Sequence, residues 1–281
     1  MRFTKIHGLG NDYLYINDLN EKIKNPNELS KKLSDRHLGV GADGIILLLP
    51  SKIADYKMRI FNADGSEAEM CGNGIRGLAK YIYDNKISNK GNLDIETKAG
   101  IRKLKLNITN NEIDSVIVDM GEVILNPKDI PVNINKDKCI NESITIDDKT
   151  IEFTAISVGN PHCIIFLQGI DKLNLNDIGY KLEHHPIFPN KTNVEFIEII
   201  DKNNIKMRVW ERGSGETLAC GTGATASVIA GILTNRLNNN CTVHLPKGIL
   251  NVYYDKSSNH AYLKGTNETV FEGKIKTKKG R

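Results

Sequence analysis

Ile75, Leu78, Ala79 and Ile82 fall at i, i+3, i+4 and i+7, the spacing of one buried helical face, and predict a helix that starts at or beside Cys71. A second stretch, Ala224 to Leu233, carries no charge at all, which predicts a helix buried on every side. Asn25-Pro26-Asn27-Glu28 has the form of a helix start, an N-cap followed by proline and an acidic first turn, with Leu29 and Leu33 on one face to about Asp35. Asn176 to His184 predicts a further helix. Short apolar runs read as strands: YLYIN after the glycine-rich turn HGLGND, Ile45 to Leu49 after GVGADG, Lys57 to Phe61, segments between Leu93 and Leu106, Ile113 to Asp119, the run in SVGNPHCIIFL, Val194 to Ile200 and Ile205 to Trp210. Strands outnumber helices and do not alternate with them, so an α+β fold is expected rather than a doubly wound parallel sheet.

This pattern is written twice. YKMRIFNADGSEAEMCGNG, from Tyr56 to Gly74, returns as IKMRVWERGSGETLACGTG, from Ile205 to Gly223; Lys57 and Lys206 stand 149 positions apart, as do Cys71 and Cys220. The same offset carries Gly10-Asn11 to Gly159-Asn160, and Asn25, Asn27, Leu29, Lys32 and Leu33 to Asn174, Asn176, Ile178, Lys181 and Leu182. A period this long marks a duplicated domain, not a short-unit solenoid. Residues 120–150, with Pro127 and Pro131, have no clear counterpart and read as the crossing between lobes. The expected division is 1–118, completed by a C-terminal strand at about 265–281, and 119–264.

Composition narrows the function. A hydrophobic content of 40% over 281 residues suffices for two moderate cores. The net charge of +4 is scattered except for Lys274 to Arg281, and with aromatics at 6% that tail reads as a solvated end, not a nucleic-acid or membrane arm. No apolar run has signal-peptide or membrane-spanning length. Five cysteines without a C-x-x-C pair argue against a disulfide framework and a zinc site, and reduced thiols in a cytosol are expected.

Cys139, Cys163 and Cys241 read as small buried hydrophobes. Cys71 and Cys220 differ, because each sits in C-G-x-G after a polar Gly-Ser loop, at a helix start that favours thiolate. Gly72, Gly74, Gly221 and Gly223 leave first-turn amides uncovered, two sockets that suit a carboxylate. Related halves usually face one another about an approximate two-fold axis, which would set the two sulfurs on opposite sides of one cleft. A thiolate on one face of a carbon and a thiol on the other can remove a proton and return one to the opposite side, so inversion beside a carboxylate is the reaction expected.

FTKIHGLGNDY, FNADGSEAEMCGNGIR, GNPH, HPIFPNKTNVEF, RVWERGSGETLACGTGA and VFEGKI, in this order from residue 3 to 275, resemble the diaminopimelate epimerase family, racemases that work without pyridoxal phosphate. The resemblance implies two pseudo-symmetric lobes, each a strand-rich, barrel-like sheet around a central helix. It implies Cys71 and Cys220 as the catalytic pair, and a substrate α-carboxylate held by the backbone of Gly72, Asn73, Gly221 and Thr222. Asn11 and Glu211 would lie near the reacting amino group, His162 near the thiols, and Asn62, Asn160, Asn193 and Arg212 at the distant amino-acid end. Arg212 suits that task because a guanidinium fork pairs a carboxylate in two places. It further implies a cytoplasmic homodimer, without cofactor or metal, acting on LL-2,6-diaminoheptanedioate in lysine and peptidoglycan synthesis, with lobes that close. Gly44 stands where some members carry a polar side chain that touches the substrate amine, so that contact stays unassigned. Asn267 replaces a commoner proline and is expected to affect only a turn. His184-His185 reads as a helix end. A racemase of histidine or of a sulfur analogue, a thiol redox protein and a non-catalytic amino-acid binder are the alternatives.

Overall fold

The computed structural model describes residues 1–276, so the basic tail beyond Ile275-Lys276 lies outside the described residues; Lys274, where that tail was expected to begin, ends a strand. The chain divides into two compact units, Met1–Val118 together with the chain from Gly265, and Asp119–Lys264.

In the first unit, strand Arg2–Gly8 lies between Glu268–Lys274 and Asn11–Asn17, antiparallel to both. Asn11–Asn17 then runs parallel to Gly44–Leu49, and Gly44–Leu49 antiparallel to Tyr56–Asn62, before Asn92–Thr97, Gly100–Thr109 and Glu112–Glu122 extend the sheet. Gly44–Leu49 is buried along its whole length, as its unbroken GIILLL sequence requires. Helix α1, Pro26–Ser34, covers one side of this sheet with Leu33 in a core of Phe3, Leu14, Ile16, Ile45, Leu47 and Phe61. Asn25 occupies its N-cap position, yet its side chain makes no capping bond, and proline at N1 starts the helix without one. Helix α2, Gly72–Asp84, packs against five strands, and Ile75, Leu78, Ala79 and Ile82 are fully buried. Burying each of the larger side chains is worth roughly 1.5–3 kcal/mol, more than an isolated helix of this length could gain from propensity.

The second unit repeats the plan. Pro161–Phe166 runs parallel to Asn193–Asp201, which is antiparallel to Asn204–Glu211; Asn240–Leu245, Gly248–Asp255 and His260–Gly265 follow. The repeat is kept at the level of register. Tyr13 faces Gly44 in the first unit and His162 faces Asn193 in the second, and Ile45 with Phe61 matches Val194 with Trp210. Helix α3, Leu175–Glu183, corresponds to α1, and α4, Gly221–Leu233, to α2. Nearly every side chain of α4 is buried, which its lack of charge allows. Residues 120–150 are more than a crossing: Glu142–Ile146 forms a hairpin with Lys149–Ser157, and Ile130, Val132, Cys139, Ile144 and Ile146 enter the second core. Among the described residues no helix is long and apolar enough to cross a membrane. The architecture is α+β, strand-rich with four α-helices among the described residues.

Candidate active site

Each of the paired cysteines is the N-cap of its helix. Cys71 has extended backbone, Gly72 opens α2, and the Gly74 amide donates to the Cys71 sulfur at 3.3 Å. Cys220 does the same for α4, with the Gly223 amide at 3.4 Å. The amides of Gly74 and Gly223, expected to be open to a ligand, are therefore turned to sulfur, because the third amide of a helix points back at its cap. The first two amides, Gly72 and Asn73 in one unit and Gly221 and Thr222 in the other, are the ones a helix start leaves for an outside anion.

In the first unit the half-buried Cys71 sulfur lies 3.5 Å from Asn11 Oδ1, to which it donates when protonated. Asn11 is oriented by Asp43, which accepts from its Nδ2 at 2.8 Å and from the Asp12 amide at 3.0 Å. Asp12 in turn pairs with Lys5 and Arg36; burial acts to raise its carboxyl, but these two cations outweigh burial and hold it below the ordinary range. The Tyr13 phenol hydrogen-bonds with both Asn11 and Cys71. Asn62 closes strand Tyr56–Asn62, its side-chain amide donating to Ser66 Oγ at 3.0 Å. A Cβ at Gly44 would stand 2.2 Å from the Phe61 carbonyl oxygen, so this backbone admits no side chain there without moving. Asn267 does more than shape a turn: its Nδ2 donates to the Asn73 carbonyl at 3.1 Å, reaching the helix start itself.

In the second unit Cys220 is only 6% exposed. Its thiol donates to the Glu211 carboxylate, which also accepts from the Thr217 hydroxyl, and Thr222 Oγ1 lies 3.3 Å from the sulfur. Thiolate was expected at this helix start. Instead burial, with the charges of Glu211 and Glu195, pushes the Cys220 thiol well above its usual range; the hydrogen bonds from Thr222 and Gly223 do not offset them. Burial likewise raises Glu211. Among the described residues, the ring of His162 is hydrogen-bonded to groups other than the sulfur. Its Nδ1 is 2.7 Å from Glu195 and its Nε2 is 2.9 Å from Asn160 Oδ1, and Asn160 continues to Thr222 Oγ1 at 3.3 Å. Asn193 is buried and spans two groups, donating to the Pro161 carbonyl at 2.8 Å and accepting from the Arg212 amide at 3.0 Å. The Arg212 side chain is exposed and donates to the Asn190 carbonyl at 3.2 Å.

Five groups at these sites escaped the sequence reading: Tyr13, Asp43, Arg76, Glu195 and Thr217. Arg76 and Glu195 are both 0% exposed. His184 is the C-cap of α3, its ring against the Tyr180 carbonyl, in keeping with a helix end. Cys139, Cys163 and Cys241 are buried, and no cysteine of the five is in a disulfide.

The chain as a whole has relatives among known proteins. The diaminopimelate epimerase family model matches residues 3–126 and 154–270. The diaminopimelate epimerase of Methanococcus maripaludis strain S2 is 52% identical over 98% of this chain and 99% of its own, and that of Acetivibrio thermocellus 50% identical over 98% of both. Among solved structures, a phenazine biosynthesis protein of the PhzF family from Bacillus anthracis superposes with a TM-score of 0.72 at 18% identity over 99% of both chains. A hydroxyproline epimerase from Agrobacterium vitis gives 0.68 at 14% identity, covering 97% of this chain and 91% of its own. These structures share the fold. With full-length identity near one half to named epimerases, the chain belongs to the diaminopimelate epimerase family.

Proposed function

We propose that this chain interconverts LL- and meso-2,6-diaminoheptanedioate, one of Cys71 and Cys220 taking the α-proton and the other giving its own proton to the opposite face. The observation that carries the reading is the duplicated half-site: a thiol capping a glycine-rich helix, with two amides left beside it, occurs once in each unit. The relatives at 50–52% identity support the substrate.

In this reading the α-carboxylate sits on the amides of Gly72 and Asn73 and of Gly221 and Thr222, where two helix dipoles also stabilise the charge that spreads onto it as the proton leaves. One sulfur, as thiolate, takes the proton. The other, as thiol, gives its own to the opposite face, so the carbon inverts and one thiolate and one thiol remain. Asn11 and Glu211 hold the reacting amino group; Asn62, Asn160, Asn193 and Arg212 hold the distant end, with His162 supporting Asn160. Both proton transfers run between the substrate carbon and a side chain of this chain, a step that calls for no cofactor or metal. The product would serve lysine and peptidoglycan synthesis, and a cytoplasmic homodimer is the assembly the family resemblance supports.

The test is conversion of LL-diaminopimelate by the purified chain under reductant, followed by chiral chromatography. Conversion to the meso isomer is expected, and Cys71→Ala and Cys220→Ala should each lower kcat/KM by about 10²–10⁴, the usual worth of a positioned acid or base. Full activity in either variant would contradict the two-thiol reading. Turnover of another amino acid but not of diaminopimelate would contradict the substrate alone.

A further inference from the structure

The duplication lets the two half-sites be compared position by position at the 149-residue offset, and they differ in charge. At that offset Arg76, Tyr13, Tyr15, Asn62 and Ile46 of the first half correspond to Thr225, His162, Ile164, Glu211 and Glu195 of the second. Behind the helix start, the space beside Gly74 is filled by the Ile46 side chain and that beside Gly223 by the Glu195 carboxylate. One half-site holds a guanidinium among neutral groups. The other holds two carboxylates and an imidazole. The charges further out do not alter the contrast, since Lys5 and Arg36 are offset by Asp12 and Asp43, and the Arg212 guanidinium is turned outward to Asn190.

Arg76 is fully buried on the first turns of α2, its Nη1 donating to the Gly72 carbonyl at 3.1 Å and its Nη2 to Asn73 Oδ1 at 2.8 Å. Among the described residues it has no carboxylate partner, and its Nε has no hydrogen-bond acceptor. A buried guanidinium without an anion is costly, and burial pulls this one down to about 10. The acidic groups that bear on it are Cys71 and Tyr15. Tyr15, fully buried and donating to the Gly74 carbonyl at 3.0 Å, is held neutral by burial. The other acidic group that bears on the guanidinium is the Cys71 sulfur.

We propose that Arg76 is the positioning residue that makes Cys71 the resting thiolate, while Glu211 and Glu195 keep Cys220 the resting thiol. Catalytically this rests on the two-thiol reading above, in which Cys71 then takes the first proton and Cys220 gives its own. Its physical content, an ordered titration of two thiols, does not depend on any substrate. The ordering follows from charge: the buried Arg76 guanidinium stands on the helix that Cys71 caps, while the Glu211 carboxylate accepts from the Cys220 thiol and the Glu195 carboxylate fills the space beside Gly223.

The experiment is peptide-resolved alkylation of the full chain by iodoacetamide, without substrate, from about pH 5 to about pH 10, since the thiolate is the reacting form. The midpoint of each profile reports titration independently of access. Cys71 should level off at the lower pH. Arg76→Gln should move the Cys71 midpoint upward by about one unit, a roughly tenfold loss of thiolate near neutrality, and leave Cys220 in place, while Arg76→Lys restores most of the shift. Coincident midpoints, Cys220 titrating first, or a Cys71 midpoint unmoved in folded Arg76→Gln would overturn the proposal. If the glutamine variant does not fold, the wild-type order and the lysine variant decide. Ordered titration in a protein inactive on diaminopimelate would support this inference and contradict the substrate reading.

Discussion

At Cys220 burial and two carboxylates act in the same direction, so the groups that flank the sulfur set when it can donate a proton. Removing one of those charges has a definite sign. In Glu211→Gln the Cys220 thiol should fall toward its ordinary range, and if the proposed mechanism holds, with Cys220 as the proton donor, the alkaline limb of kcat/KM should move to lower pH even as the rate drops. An alkaline limb that stays in place in that variant would show that Glu211 does not act on the sulfur. Cys71 and Cys220 were legible in the sequence because glycines flank both and the motif occurs twice. Glu195 was not, because in NVEF it alternates with apolar neighbours as an outward polar residue of a strand does, yet it is fully buried. The signal available was its alignment with Ile46, a core position, at the 149-residue offset. Arg76 was hidden in the same way, as a charged residue in a helix whose first turns are buried all round.

The paired helices test how far like frames tolerate like changes. A Cβ at Gly74 would meet the Ile46 Cδ1 at 2.7 Å, the free end of an aliphatic chain, whereas at Gly223 it would meet Glu195 Oε1 at 2.4 Å, an oxygen held by His162. Gly74→Ala should therefore lie within about 1 kcal/mol of wild type, the gain in helix propensity offsetting the shift. Gly223→Ala should cost roughly 1–3 kcal/mol, as overpacking of a rigid site does. Urea unfolding of the two variants checks this; equal losses would mean that Glu195 yields as readily as Ile46. Helices were the most legible elements, since α2 and α4 are defined by a periodic face and by an absence of charge. The hairpin Glu142–Ile146 with Lys149–Ser157 was missed because it has no counterpart in the first half from which to read it.

On the scale of the whole molecule the α+β class was readable, since strand-like runs recur in the same order and the register repeats with them. The electrostatic difference between the halves was not, because it depends on which polar side chains the fold buries. Burial also sets an alkaline limit on stability. Burial pushes Cys139 and Cys241 up to about 12 and raises Cys163 well above its ordinary range, against an unfolded thiol near about 8.5. With folded values raised, the stabilisation is complete below the unfolded value and is lost as pH rises toward the folded one, so the melting temperature should fall progressively from about pH 9 upward. Cys241→Ala should make that fall shallower, and a melting temperature flat to about pH 10.5 would contradict the assignment.

Whether two thiols serve opposite faces of one carbon, as the proposed mechanism requires, is read from solvent isotope incorporation early in the reaction: LL-diaminopimelate in deuterium oxide under reductant, with the α-carbons of product and recovered substrate followed separately. Meso product carrying one solvent deuterium is expected, while the remaining LL substrate keeps its protium. Deuterium entering substrate and product alike, as a single base would deliver it, or product that retains the original proton, would contradict it.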